Sequence, residues 1–537
     1  MPAADIVAME PVAESARLRW LILNVLKDRV VAKGFRPVDR GQLFVLPPDM
    51  REWLPVDHLV WFVLDAVAGL NLTAFRGRRR LGGAGRAAYD PAMLVGLLVY
   101  GYAVGQRSSR QIERLCQSDV AFRIVCAQDT PDHSTIARFR AEHETGLSGL
   151  FEQVLMLCAR AGMGRVGTIA LDGTKIAANA ALSANRSETS LRRLAADILA
   201  EAAAVDAAED EQYGPDRRGD ELPPPLADPT GRAARIKAML EDIAAERDAT
   251  SAGSEQTRRA AERVERAQQH LADTRAVVAE RNAERARAEQ LIHADGGRGL
   301  PGRMVPVEQH YDVRAAADRL ARAETNLTNT RKATPSPKDV TRNLTDPDSR
   351  IMPTRHGWVQ GYNGQLVVSA DYLILAADLT TNPTDYRSWA PMIDQATEAA
   401  RAVRRATGRR TRIGTVLADA GYASTTNLTS PGPDRLIALG TRHQQHTTAR
   451  DHPAHGDPPP HTTARQRMAH RLRTPAGAAR YKRRAALVEP VHAHLKDRRG
   501  LRVFSRRGIT AARSEYRFAA AVTNLLRLHT HPAANPT

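Results

Sequence analysis

Residues 166–173 read Val-Gly-Thr-Ile-Ala-Leu-Asp-Gly. After 160 residues of mainly helical patterning, this is the first short apolar run with β-branched residues, and Asp172-Gly173 closes it. It predicts a strand with Asp172 directly after its end. Working outward, Gly364–Ala370 (GQLVVSA) and Tyr372–Ala377 (YLILAA), separated by Asp371, predict a hairpin. Asp385 to Arg405 has helical spacing. Ile413–Ala418 (IGTVLA) predicts a further strand ending at Asp419, and Leu436–Leu439 a fifth. Strand, hairpin, helix, strand is an α/β order, with two aspartates at carboxyl ends of strands, where open sheets bind their ligands.

Before this core, residues 1–160 read as a helical domain. Asp90 is a suitable N-cap with Pro91 at the first helical position. Ser108 and Gln111 have capping-box spacing, and Asp132 opens another helix that leads into an apolar one over Leu150–Arg160. Between Asp172 and the hairpin lies an insertion rich in Ala, Glu and Arg. Stretches 189–213, 231–293 and about 311–331 predict long helices, packed as an antiparallel pair or coiled coil, with 214–230 as a linker. The resulting division is 1–160 helical, 161–182 the first part of the core, 183–345 the helical insertion, and 346–537 the remainder of the core. Residues 440–480 carry His443, His446, His452, His455 and His461, and read as a polar loop rather than a structural metal site.

The chain has 537 residues and 77 Lys+Arg against 60 Asp+Glu, a net charge of +17. Residues 401–537 alone hold 26 basic and 7 acidic residues, so the other 400 are close to neutral. Such asymmetry points to a polyanionic partner, nucleic acid first. The glycine-rich basic stretch Phe75 to Arg86 reads as a loop, a linker or a DNA contact alike. Three cysteines (Cys116, Cys126, Cys158) cannot form a disulfide framework, which fits a reducing cytoplasm. The first ten residues do not resemble a secretory signal. The longest apolar run, Pro91 to Val104, falls short of the roughly 20 residues of a membrane span.

Near the C-terminus, residues 481–496 read YKRRAALVEPVHAHLK. Glu489 and Lys496, seven apart, fall on one face of a regular helix, whereas Arg484 lies about 140° around it from Glu489. Converging carboxylates on strand ends and a helix can hold Mg²⁺, a hard ion that prefers oxygen ligands. Two such ions can activate a nucleophile and stabilise the leaving oxygen in phosphodiester displacement.

Together LDGTKIAANA (171–180), LADAGYAS (417–424) and the 481–496 segment resemble the DDE transposases of bacterial insertion sequences. The last is similar to a Y-x2-R-x3-E-x6-K signature, except that Arg484 to Glu489 is one residue longer. LPPDMREWLP (46–55), residues 89–123 and PDHSTIARFR (131–140) resemble the helical N-terminal domain of this group, as do TDPDSRIM (345–352) and QGYNGQLVV (360–368) ahead of the hairpin.

The resemblance implies a ribonuclease-H-like α/β catalytic core behind an all-α N-terminal domain, interrupted after its first strand by the helical insertion. It implies Asp172, Asp419 and Glu489 as the catalytic acids and as ligands of two Mg²⁺ or Mn²⁺ ions. Tyr481, Arg484, Lys496, Lys175, Arg498 and Arg499 would contact DNA. The implied partners are the element's terminal inverted repeats and target DNA, bound by a homodimer in the nucleoid, with no membrane. A stand-alone metal-dependent nuclease and an inactive DNA-binding descendant are the alternatives.

Overall fold

The computed structural model describes residues 38, 49–76, 87–198, 200, 229–333, 340–355, 357–409, 412–460 and 462–531. The basic stretch 77–86, most of the 189–213 segment, nearly all of the 214–230 linker and His461 lie outside them. The chain divides into two units, residues 1–184 with 345–537, and residues 185–344.

In the first unit, α1 (Leu59–Ala68) precedes α2 (Pro91–Ala103), which starts where the sequence places it. Asp90 accepts from the Ala92 N–H at 2.6 Å, and Pro91 loses no helical hydrogen bond there. Apolar nearly all round, α2 is buried on almost every side. Then come α3 (Ser109–Ser118), α4 (Val120–Val125), α5 (His133–Glu142) and α6 (Glu144–Arg160). Asp132 caps α5 by accepting from Thr135 at 2.8 Å. Ser108, by contrast, makes no side-chain cap on α3, so the predicted capping box does not form.

The sheet is built on β1 (Thr168–Ala177). It pairs parallel with β7 (Thr415–Ala418), and β7 with β8 (Asp434–Ile437). On its other side β1 pairs antiparallel with β5 (Gly357–Ser369), which also pairs with β4 (Arg350–Thr354) and β6 (Ile374–Thr380). The predicted hairpin is β5–β6. One expectation is corrected: β1 does not stop at Leu171. Its parallel pairing with β7 ends at Leu171↔Ala418, but its antiparallel pairing with β5 continues through Asp172↔Leu366 to Ala177↔Gly361. Asp172 is therefore the first residue past the parallel register, within a strand.

Helix α10 (Trp389–Thr407) packs on β5 and β6, and α14 (Ile509–His529) packs on β6, α2 and α6. One apolar cluster runs from Val60 and Phe75 through Leu171 and Val416 to Phe518 and Leu525. The N-terminal helices and the sheet thus share a core. A buried polar network ties them as well. Glu515 of α14 accepts from Arg107 Nη1 at 2.5 Å and from the Ser505 N–H at 3.0 Å, while Arg107 Nη2 donates to the carbonyls of Gly500 and Val503. That segment lies along the end of β1, where the Ala177 N–H donates to the Arg502 carbonyl and Phe504 N–H to that of Ala177.

The 440–480 region is the second correction. Instead of a polar loop it forms α11 (Arg442–Asp451) and α12 (Ala464–Arg473), followed by α13 (Pro475–Ala493). Each of the first two has a complete capping box, Thr441 with Gln444 and Thr463 with Gln466. Two orphan N–H groups are satisfied at each start, which offsets the weak helix preference of the histidines, threonines and arginines inside.

The second unit holds a helix over 188–198, the 66-residue helix Pro229–Ala294, and Tyr311–Ala333 packed on it. A two-stranded ribbon, Asn185–Ser187 with Thr341–Asn343, closes its base. There the buried Arg342 donates to Asp242 at 2.6 Å and to Glu246 at 2.5 Å. Among the described residues, no helix is long and apolar enough to cross a membrane.

Candidate active site

Asp172 and Asp419 stand side by side, each the next residue after the Leu171↔Ala418 pair, Asp172 still within β1 and Asp419 just past the end of β7. Both are partly buried acids, and desolvation is the largest influence on each. It pushes the Asp172 carboxyl up to about 7, with Asp419 and Asp385 adding to the rise and Arg484 opposing it. Asp419 is raised for the same first reason, again against Arg484. Such desolvated, mutually repelling carboxylates favour a nearby positive charge.

Helix α13 supplies that charge. Arg484 Nη1 lies 3.2 Å from Asp172 Oδ1, and Nη2 lies 3.9 Å from Glu489 Oε1. The 140° offset expected between Arg484 and Glu489 does not separate them, because the long guanidinium side chain spans it. Tyr481, whose ring is buried, neighbours Arg484 and both aspartates rather than presenting itself outward. His492, also buried, has Nε2 3.8 Å from Asp172 Oδ2, and burial first, then Lys496, pushes it down to about 3, so it is neutral.

Glu489 differs from the two aspartates. Its side chain is 52% exposed and lies between Arg484 and Arg442, the latter at 3.5 Å. Among the described residues, no three His, Cys, Asp or Glu side chains form a group able to hold a metal ion. The oxygen donors and buried charge of Asp172 and Asp419 fit a hard divalent cation in chemistry. The Arg484 guanidinium stands between Asp172 and Glu489.

The predicted basic residues take different places. The chain after α13 continues as a π-helical turn, His494–Arg498, so Lys496 is not on a regular helix. Its Nζ donates to Thr174 Oγ1 on β1. Lys175, the next residue on that strand, points to the opposite face and pairs with Asp385 at 3.4 Å. Arg498 is exposed, whereas Arg499 turns inward and donates to the Tyr102 carbonyl at 3.3 Å.

Asp385 is a site residue that sequence reading missed. It follows β6 by five residues, and its Oδ1 accepts from Asn363 at 2.7 Å, Gln365 at 2.9 Å and Lys175 at 3.4 Å. In sequence it stands only at the start of a helical pattern, where an aspartate reads as a cap.

Two family models match the chain. Residues 48–142 match "Transposase domain (DUF772)", and residues 443–529 match "Transposase DDE domain". The second includes Tyr481, Arg484, Glu489 and Lys496; Asp172, Asp385 and Asp419 lie outside both. Comparison with curated proteins and with solved structures finds no match.

Proposed function

We propose that this chain, an insertion-sequence DDE transposase by both of its domain matches, binds the terminal inverted repeats of its element, cuts the DNA there and joins the ends to target DNA. The observation that carries this is the adjacency of Asp172 and Asp419, each the next residue after the last parallel pair of β1 and β7, with Arg484 of the matched DDE segment set against Asp172. The strand order, with β1 central between an antiparallel hairpin and two parallel strands, supports a ribonuclease-H-like core.

Asp172, Asp419 and Glu489 are the catalytic acids and would hold Mg²⁺ or Mn²⁺, two ions in all. Held by these carboxylates, such ions would supply a lowered pKa for water and a positive charge beside the scissile phosphate. The chain's own residues supply position and charge. The two aspartates have a fixed spacing, set by adjacent strands. Arg484 is the fixed cation of the site, set against Asp172 and placed to reach a phosphate oxygen when DNA enters. Lys496 and Lys175 flank β1 on opposite faces and contact phosphate near the cut, with Arg498 further along the backbone, while Arg499 is held inward on the Tyr102 carbonyl. Tyr481 supports Arg484 from below. The complex on DNA is a homodimer, and the protein works in the nucleoid.

The test is cleavage of a duplex bearing the terminal repeat in Mg²⁺ by Asp172→Asn, Asp419→Asn and Glu489→Gln. Each variant should bind the duplex and fail to cut it; cutting at the wild-type rate by any one removes that residue from the set.

A further inference from the structure

We propose that Asp385 is a positioning residue of the acid site, holding Lys175 and the turn after Asp419 in place beside Asp172. The proposal rests on the transposase reading for the reaction that reports on it, not for the geometry.

Asp385 stands at the N-cap of the 3-10 turn Tyr386–Ser388, yet its side chain caps nothing there. It points instead under the sheet end. Three side chains from two strands donate to its Oδ1: Lys175 from β1, Asn363 and Gln365 from β5. Gln365 extends the link, since the Tyr422 hydroxyl donates to its Oε1, and Tyr422 belongs to the turn that Asp419 begins. One carboxylate therefore joins the strand carrying Asp172, the strand beside it and the turn after Asp419.

The glycines of the two acidic motifs make room for it. A Cβ on Gly173 would lie 2.5 Å from Asp385 Oδ1 and 2.5 Å from Gln365 Nε2. A Cβ on Gly421 would lie 3.1 Å from Asp385 Oδ2. The contacts at Gly173 are closer than real Cβ atoms come, and the one at Gly421 would need its neighbour to give by a few tenths of an ångström. The Gly in Asp172-Gly173 thus allows the close approach of a third carboxylate, and a Cβ on Gly421 would sit tight against both Asp419 Oδ1 at 3.0 Å and Asp385 Oδ2 at 3.1 Å.

Asp385 acts through Lys175, whose ammonium it fixes on the face of β1 opposite Lys496. Asp385→Asn keeps an acceptor for Asn363 and Gln365 but removes the charge that holds Lys175. Two measurements test this. In the first, an amine-reactive ester labels the intact protein and Lys175 modification is read by mass spectrometry; Asp385→Asn should raise it several-fold, and unchanged labelling overturns the pairing. In the second, single-turnover cleavage of the terminal-repeat duplex is compared with affinity for it. Asp385→Asn should slow cleavage on the order of 10- to 100-fold while affinity stays within about two-fold. Adding Lys175→Gln should lower the rate no further than the worse single variant. Losses that multiply, or a wild-type rate in Asp385→Asn, overturn the assignment. Gly173→Ala, which displaces Asp385 without removing it, should reproduce the slow rate, and normal cleavage there counts against the proposal. A wild-type chain as inert as Asp172→Asn refutes the transposase reading instead, and the labelling result still decides whether Asp385 holds Lys175.

Discussion

Arg484 Nη1 stands 3.2 Å from Asp172 Oδ1, a guanidinium from α13 against a carboxylate from the first strand, 312 positions apart in the chain. Both side chains are largely buried, so the pair is not a surface ion pair of negligible worth. Burial opposes the charge on Arg484, but Asp172, Tyr481, Asp419 and Glu489 together hold it protonated. The guanidinium therefore balances a cluster of acids that would otherwise repel one another.

Removing that balance should damage chemistry more than binding. Arg484→Gln is expected to cut terminal-repeat cleavage by roughly 100-fold or more, the scale for deleting one preorganised donor. Arg484→Lys should recover part of it, since a point charge reaches one carboxylate but not both. Single-turnover cleavage at saturating enzyme checks this, and equal rates for all three proteins would remove Arg484 from the site.

The buried Asp172 also predicts the direction of a pH effect. Its folded carboxyl is raised from 3.8 to about 7, so the folded state holds a proton that the unfolded chain has already released. Stability is then greatest below the ordinary carboxylate value and falls as pH rises towards 7, with the loss complete above it. The size is a few kcal/mol. Urea denaturation in chelator between pH 4 and pH 8 should show the wild type losing stability relative to Asp172→Asn, which lacks this titration. A difference of the opposite sign contradicts the burial account.

The local signals in the sequence were reliable where one interaction decides the element. Asp90-Pro91 starts α2 because a cap and a missing N–H act within one turn, and the β5–β6 hairpin follows from two apolar runs around Asp371. Asp172 and Asp419 stood out because small residues follow apolar strands. What escaped was set by tertiary contact. Asp385 is distinguished by Gly173, Gln365 and Lys175, none of them near it in sequence. The continuation of β1 past Asp172 depends on β5, nearly 200 residues away. The two T-x-x-Q capping boxes were readable, but histidine-rich, proline-flanked composition obscured them.

The weld between N-terminal helices and sheet makes a stability prediction. Glu515 is 1% exposed on its side chain and faces Arg107 at 2.5 Å and Arg140 at 4.0 Å. Glu515→Gln leaves two largely buried guanidinium groups short of a counter-charge and should cost about 3–5 kcal/mol. Adding Arg107→Met should return part of the loss. Chemical denaturation of the three proteins measures it; additive losses would mean that the charges are not coupled.

Within the inserted unit, Arg342 should control the base of the helical pair. Its guanidinium is buried while Asp242 and Glu246 are each about half exposed. Arg342→Met removes both links from the ribbon strand to the long helix and should open this unit to protease first, with cuts inside 185–344. Cleavage elsewhere at the same rate would show that Arg342 anchors nothing locally.

The basic C-terminal region makes the final prediction, and the structure sharpens which arginines carry it. DNA affinity should fall with salt at a log–log slope of about −0.9 for each phosphate neutralised, because each contact releases counterions. Arg498 is exposed at the end of the π-helical turn, so Arg498→Gln should flatten the slope by about one contact. Arg499 is adjacent in sequence, but its guanidinium already donates to the Tyr102 carbonyl, and burial lowers its affinity for a proton. Arg499→Gln should therefore leave the slope nearly unchanged and lower the unfolding midpoint instead. If the two variants flatten the slope equally, Arg499 turns outward on DNA, and its link to the N-terminal helices is broken when the substrate binds.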